Sequence, residues 1–171
     1  MPTTLLFVDD HPTLAKVTTQ FMGEIRPEWQ FLVARTCAEA RMKFYFQGIL
    51  DAAVVDVDLP DGNGLDLLTE FLASRPKLPV IIISGNDPVA LHQEVIARGG
   101  HSFFSKPFSV LAIVDNIEMA ISTLRGKPQA TAARLPEAAL KHPFDLIPRS
   151  TRKDIVVYDP KAAASNWLFF K

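Results

Sequence analysis

The chain has 171 residues and a formal net charge of −1, with 48% hydrophobic and 22% charged residues, an ordinary globular composition. That length argues for one domain, or one plus an appendage, and buries roughly two-thirds of the unfolded surface without help from disulfides or metals. The single cysteine, Cys37, excludes an intramolecular disulfide framework and fits a reducing compartment.

Up to Gly126 the hydrophobic pattern alternates regularly. Thr4-Leu5-Leu6-Phe7-Val8 is a short apolar run stopped by Asp9-Asp10, as a buried parallel strand would be. Pro12 suits a first helical turn, and Leu14, Val17 and Phe21 follow at helical spacing until Gly23. Phe31-Leu32-Val33 reads as a second strand, and Thr36-Cys37-Ala38-Glu39 as a capping box opening a second helix. Ala52-Ala53-Val54-Val55 is a third strand, ending at Asp56. A loop, Leu59-Pro60-Asp61-Gly62-Asn63-Gly64, leads to a helix with Leu65, Leu68, Phe71 and Leu72 on one face. Val80 to Ile83 is the fourth strand, closed by Ser84-Gly85. Asp87-Pro88 caps the next helix and Gly99-Gly100 ends it. Ser102 to Ser105 is a short fifth strand running into Lys106-Pro107. The last helix, capped by Ser109, carries Ile113, Val114, Ile117, Ile121 and Leu124. Five strands alternating with five helices predict an α/β fold, a parallel sheet with helices on both faces.

In such sheets ligands bind outside the carboxyl ends of the strands. Strand one delivers Asp9 and Asp10 there, strand three Asp56, strand four Ser84 and strand five Lys106. Three carboxylates on one edge repel, so at least one pKa rises unless a cation is present. A hard divalent ion with oxygen ligands answers that need, and Mg²⁺ commonly binds through one or two carboxylates plus phosphate oxygens. The lysine and the hydroxyl then face the anion. The parts make a phosphoryl-handling site.

Val8-Asp9-Asp10-His11-Pro12, Asp56-Val57-Asp58-Leu59-Pro60-Asp61-Gly62-Asn63-Gly64, Ser84-Gly85 and Lys106-Pro107-Phe108 resemble the signatures of bacterial two-component response-regulator receiver domains. The resemblance covers about residues 3–125 in order and spacing. It implies a flavodoxin-like doubly wound sheet in strand order 2-1-3-4-5, followed here by a C-terminal extension. Asp56 matches the phosphoacceptor. Asp10 matches the direct Mg²⁺ ligand, Asp9 the residue holding metal-bound water, and the backbone carbonyl of Asp58 a further ligand. Lys106 matches the residue pairing with a phosphoryl oxygen, and Ser84 the hydroxyl that swings in to bond another. Phe103 matches the aromatic switch position, although a strand phenylalanine is also ordinary core. A cis Lys106–Pro107 peptide is implied as well. The partners implied are a sensor histidine kinase or a phosphotransfer protein.

Other residues near the site have plainer readings. His11 is a loop residue beside Pro12, since the neighbouring aspartates favour a hard ion over imidazole ligation. Cys37 reads as a small buried or capping-region residue. Asp61 and Asp66 read as solvated acids.

Residues 1–126 hold ten Lys and Arg against fifteen Asp and Glu, and residues 127–171 hold eight against four. A net −5 followed by +4 marks a boundary between a domain and a basic tail. Pro128, Pro136, Pro143, Pro148 and Pro160 leave no room there for a helix-turn-helix domain. Ile155-Val156-Val157-Tyr158 reads as a short strand that could extend a sheet edge, and Trp167-Leu168-Phe169-Phe170 as an apolar segment packing on its own domain or docking on a second copy or a partner. A homodimer through the tail or a helix face is one expectation; nucleic acid, lacking a docking motif, is not an expected partner. Leu5 to Val8 is too short for a signal-peptide core and Val80 to Ile83 far too short for a membrane span, so a cytoplasmic protein without membrane contact is expected.

The leading expectation is a phosphorylation-dependent signalling switch, not an enzyme, acting through protein contacts or as a relay. A transcription regulator with a degenerate or missing DNA-binding output is the alternative. Asp56-Val57-Asp58 also resembles the nucleophile and acid of haloacid-dehalogenase-type phosphatases. Against that reading, Pro60 stands where that family carries a hydroxyl or small aliphatic residue, and Asp9-Asp10 lies on an earlier strand. A pseudo-receiver is disfavoured because no expected site residue is missing.

Overall fold

The computed structural model describes residues 2–85 and 88–125, with only the backbone of Pro88 and Val89. The expectations for Asp87 and for the tail from Gly126 onward lie outside the described residues. The elements run β1 (Thr3–Val8), α1 (Pro12–Ile25), β2 (Trp29–Ala34), α2 (Cys37–Phe46), β3 (Ala52–Asp56), β4 (Asp58–Leu59), β5 (Gly62–Asn63), α3 (Gly64–Ser74), β6 (Val80–Ser84), α4 (Pro88–Ala97), β7 (Ser102–Ser105) and α5 (Val110–Arg125). Five of the strands form one all-parallel sheet in the order β2-β1-β3-β6-β7. This is the doubly wound, flavodoxin-like sheet expected. The sequence reading lacked one element pair: β4 and β5, a two-residue antiparallel ladder pairing Asp58 with Asn63 and Leu59 with Gly62. Runs that short carry no readable periodicity.

The central strands are buried on both faces, which is why they read as unbroken apolar runs. Side-chain alternation divides them between two cores. Leu6, Val8, Ala53, Val55, Val80 and Ile82 face a layer with Phe44, Leu68, Phe71 and Val95, from α2, α3 and α4. Leu5, Phe7, Ala52, Val54, Ile81 and Ile83 face Phe21, Met22, Ile113 and Ile117, from α1 and α5. At the centre of the first core Phe44 and Phe71 stack with ring centroids 4.0 Å apart.

Several local expectations need correction. Gly23 does not end α1, which runs to Ile25; a Cβ there would meet nothing closer than 3.8 Å. The buried stripe of α1 is Ala15, Thr18, Phe21, Met22 and Ile25, with Leu14 and Val17 flanking it half-buried. In α2 Thr36 accepts from Glu39 N as expected, but the Glu39 carboxylate takes the N–H of Arg35, one residue further back. Helix α3 is capped by Asn63, whose Oδ1 accepts from Leu65 N at 2.8 Å. Gly99, with φ +86, and Gly100 close the end of α4 as expected, and Ser109 Oγ accepts from Ala112 N at 3.3 Å. Leu124 lies outside the core, half exposed.

Candidate phosphoryl-transfer site

Each parallel strand ends where its apolar run ends, and the next residue turns up at the same edge of the sheet. Asp9 follows β1, and its backbone N–H donates to Ala34 O at 3.0 Å, at the end of the neighbouring β2. Asp56 is the last residue of β3, paired in register with Ile83 of β6. Ser84 closes β6, fully buried, and its carbonyl accepts from Lys106 N at 2.7 Å, just past β7. Asp9, Asp56, Ser84 and Lys106 therefore converge because four adjacent strands finish level.

The centre of the edge is an ion triad. Lys106 Nζ lies 2.9 Å from Asp9 Oδ2 and 2.5 Å from Asp56 Oδ2. Asp9 is wholly buried and Asp56 nearly so. The other oxygen of each carboxylate takes a backbone N–H: Asp9 Oδ1 from His11 at 2.8 Å, Asp56 Oδ1 from Asp58 at 3.4 Å. Charges this buried must be paired, and these are.

The Asp56 carboxyl is pushed up from its ordinary value. Burial is the largest cause; the Lys106 hydrogen bond and charge oppose it, and Asp9 adds a smaller repulsion. The expected rise is thus present, but desolvation outweighs crowding. For Lys106, burial alone would lower the ammonium pKa; the hydrogen bonds and charges of Asp56 and Asp9 outweigh it and hold it above the ordinary lysine value.

Asp10 is not part of the triad. Its side chain is substantially exposed, with Oδ1 3.5 Å from Nδ1 of the exposed His11. It remains beside Asp9: Asp9, Asp10 and His11 each offer a ligand atom within 4.8 Å of the others. Asp58 is exposed at the start of the β4–β5 hairpin. Phe103 is half-buried on the α4 side of the sheet, its ring 6.0 Å from that of His92 and tilted 26° to it. Lys106–Pro107 is cis.

Two residues that sequence reasoning undervalued shape this edge. Gly64 sits against the backbone of Asp56, where a Cβ would fall 2.0 Å from Asp56 O, and its N–H donates to Val57 O at 2.8 Å. A glycine just before an apolar helical face was the available signal, read only as loop. Asp61 is no freely solvated acid: its carboxylate accepts the N–H groups of Cys37 and Ala38 at the start of α2. Asp66 fits its expectation, exposed and 3.7 Å from Arg98.

Residues 5–118 match the family described as the response regulator receiver domain. The chain belongs to that family. Among similar proteins, the probable transcriptional regulatory protein TcrX of Mycobacterium tuberculosis is 34% identical over 114 residues, 66% of this chain and 47% of TcrX. The DNA-binding transcriptional regulator NtrC of Azospirillum brasilense is 30% identical over 122 residues, 70% of this chain and 24% of NtrC. The match thus spans less than half the length of either relative. Among solved structures, a CheY-like receiver domain protein from Methanospirillum hungatei superposes with a TM-score of 0.68 at 21% identity, covering 74% of this chain and 98% of that one. The receiver sheet expected from the strand order is the one observed, and receiver domains are signalling modules of response regulators. No helix among the described residues is long and apolar enough to cross a membrane.

Proposed function

We propose that this receiver domain is a phosphorylation-dependent switch whose acceptor is Asp56, charged by a sensor histidine kinase or a phosphotransfer protein. The observation that carries the reading is the Asp9–Lys106–Asp56 triad: a nearly buried carboxylate held at a strand end by a cation shared with a second carboxylate. In the transfer, a carboxylate oxygen of Asp56 forms a bond to phosphorus as the donor's phosphorus–nitrogen bond breaks and the donor imidazole leaves. Lys106, already 2.5 Å from the acceptor, stays to pair with the incoming phosphoryl oxygens, and Ser84 supplies a hydroxyl on the neighbouring strand. Such chemistry needs placement and charge stabilisation more than bond-making groups from the protein.

The donor set fits Mg²⁺. Asp9 and Asp10 bring carboxylate oxygens within 4.8 Å of each other, a hard-oxygen environment, and Asp56 shares Lys106 with Asp9. Asp9, Asp10, Asp56 and the backbone carbonyl of Asp58 would hold the ion, which supplies charge neutralisation for the transferring group. The added phosphoryl brings close to two negative charges beside Ser84, and Phe103 is the switch residue that responds.

Intact mass after incubation with acetyl phosphate tests this. One phosphoryl group should add to the full chain only with Mg²⁺, and never to Asp56→Asn. Addition without Mg²⁺, or to the Asn variant at the wild-type level, would end the reading. Asp58→Asn should alter only the lifetime of the adduct; continuous phosphate release that this variant abolishes would instead favour a phosphatase. The regulatory names of the relatives support a second reading, a part of a transcription regulator, for which full-chain binding to DNA should weaken steeply with salt.

A further inference from the structure

Asp61 ties the segment after Asp56 to a different helix, α2. It lies at the tip of the β4–β5 hairpin, and Oδ1 accepts from Cys37 N at 2.6 Å while Oδ2 accepts from Ala38 N at 2.9 Å. Those N–H groups belong to the first turn of α2, where helical backbone offers them no partner and where the helix dipole favours a negative charge. The same two hydrogen bonds are the leading reasons the Asp61 carboxyl is held below its ordinary value. Thr36 already caps α2 from its own side. Asp61 is thus a second cap, delivered from 24 residues away.

The base of the same hairpin touches the reacting carboxylate. Asp58 N donates to Asp56 Oδ1 at 3.4 Å, and Gly64 lies against Asp56 O. Near the tip, Gly62 presses on the Cys37 thiol: a Cβ at Gly62 would sit 3.1 Å from Sγ. The hairpin therefore spans from Asp56 to the start of α2 with a fixed contact at each end.

We infer that Asp61 is a positioning residue for the phosphoryl-transfer edge: pinned on the N-terminus of α2, it sets the hairpin whose Asp58 N–H rests on Asp56, and so couples occupancy of that edge to opening at Cys37. The inference rests on the reading of Asp56 as acceptor, and coupling of this kind must run in both directions.

Cys37 is the only thiol in the chain, buried beneath the hairpin, so its rate of labelling by a thiol reagent reads hairpin opening in the intact protein. In wild type, Mg²⁺ should slow labelling, and acetyl phosphate with Mg²⁺ should slow it further, roughly fivefold in all, the low end of ordinary coupling. Asp61→Ala should label faster, lose the Mg²⁺ effect and phosphorylate roughly fivefold more slowly for the same coupling energy. Asp61→Asn, which keeps one acceptor oxygen, should recover part of each. Thr36→Ala weakens the start of α2 from within the helix and should leave the Mg²⁺ effect on Cys37 in place. The inference is overturned if Asp61→Ala keeps the wild-type response to Mg²⁺, or if Thr36→Ala matches it in every measurement, since Asp61 would then be a cap and nothing more. An Asp61-dependent Mg²⁺ effect on Cys37 in a protein that takes no phosphoryl group would keep the positioning role and remove the acceptor reading instead.

Discussion

Lys106 holds two buried carboxylates at once, and the consequences of removing either partner differ in sign. Without Lys106, Asp9 and Asp56 are left as adjacent buried charges. Breaking a buried pair in this way costs on the order of 3 kcal/mol. Lys106→Met should lower the melting temperature in EDTA, and adding Asp56→Asn to it should restore part of the loss; strictly additive changes in thermal melts would contradict the shared bridge. Asp56→Asn alone should melt higher than wild type in EDTA. A carboxyl whose pKa is raised on folding stabilises the fold as pH falls through that raised value, and its ionisation weakens the fold above it. Wild type should therefore gain stability on mild acidification from neutral pH, while Asp56→Asn should lack that part of the slope. Denaturation followed between neutral pH and about the ordinary aspartate range near 3.9 checks the sign. Asp61, with its carboxyl held low and largely exposed, acts in the opposite direction. Its contribution is present above the ordinary aspartate value and is lost as pH falls below it. Asp61→Asn should flatten the acid limb of the same curve.

At the scale of elements, backbone approach matters more than helix propensity. Glycine inside a helix costs roughly 1 kcal/mol against alanine, so Gly23→Ala, within α1 and with room for a Cβ, should stabilise by up to about that much. Gly64 also lies in a helix, yet its Cβ would fall 2.0 Å from Asp56 O. Gly64→Ala should destabilise and should slow phosphorylation of Asp56, because the clash can be relieved only by moving the acceptor's own backbone or the start of α3. Urea titrations of both variants separate the two effects, and equal gains in stability would refute the close approach. The order and type of the main elements were legible because buried parallel strands are continuous apolar runs punctuated by chemistry-bearing residues. The hairpin between Asp58 and Asn63 was not legible, and neither was the double cap on α2. Two-residue strands are too short to show a period, and the second cap joins residues 23 and 24 apart in the chain, where Asp61 looks locally like any loop acid. Helix α1 outran Gly23 because tertiary packing along Ala15, Thr18 and Met22 overrode a local breaker.

Across the molecule, the two cores and the strand-end edge divide the work. Phe71, fully buried and stacked on Phe44, should cost about 3–5 kcal/mol when cut to alanine. Phe46, on the same side of the sheet but 87% exposed, should cost no more than about 0.5 kcal/mol. Chemical denaturation of the pair tests whether the α2–α3 layer is assembled as described. The placement of Asp9, Asp56, Ser84 and Lys106 on one edge was legible because each stands at the end of a strand or just past it. Asp10 stands beside Asp9 but outside the buried triad, its side chain substantially exposed near His11. The central claim is that Asp56, among the four aspartates gathered at this edge, takes the phosphoryl group. Borohydride reduction of the acetyl-phosphate-treated full chain, followed by peptide sequencing, tests it directly, because an acyl phosphate is reduced to the alcohol where it forms. The account predicts homoserine at position 56 and at no other. Homoserine at position 9, 10 or 58, or unreduced aspartate at 56 in a protein that has gained the phosphoryl mass, would contradict it.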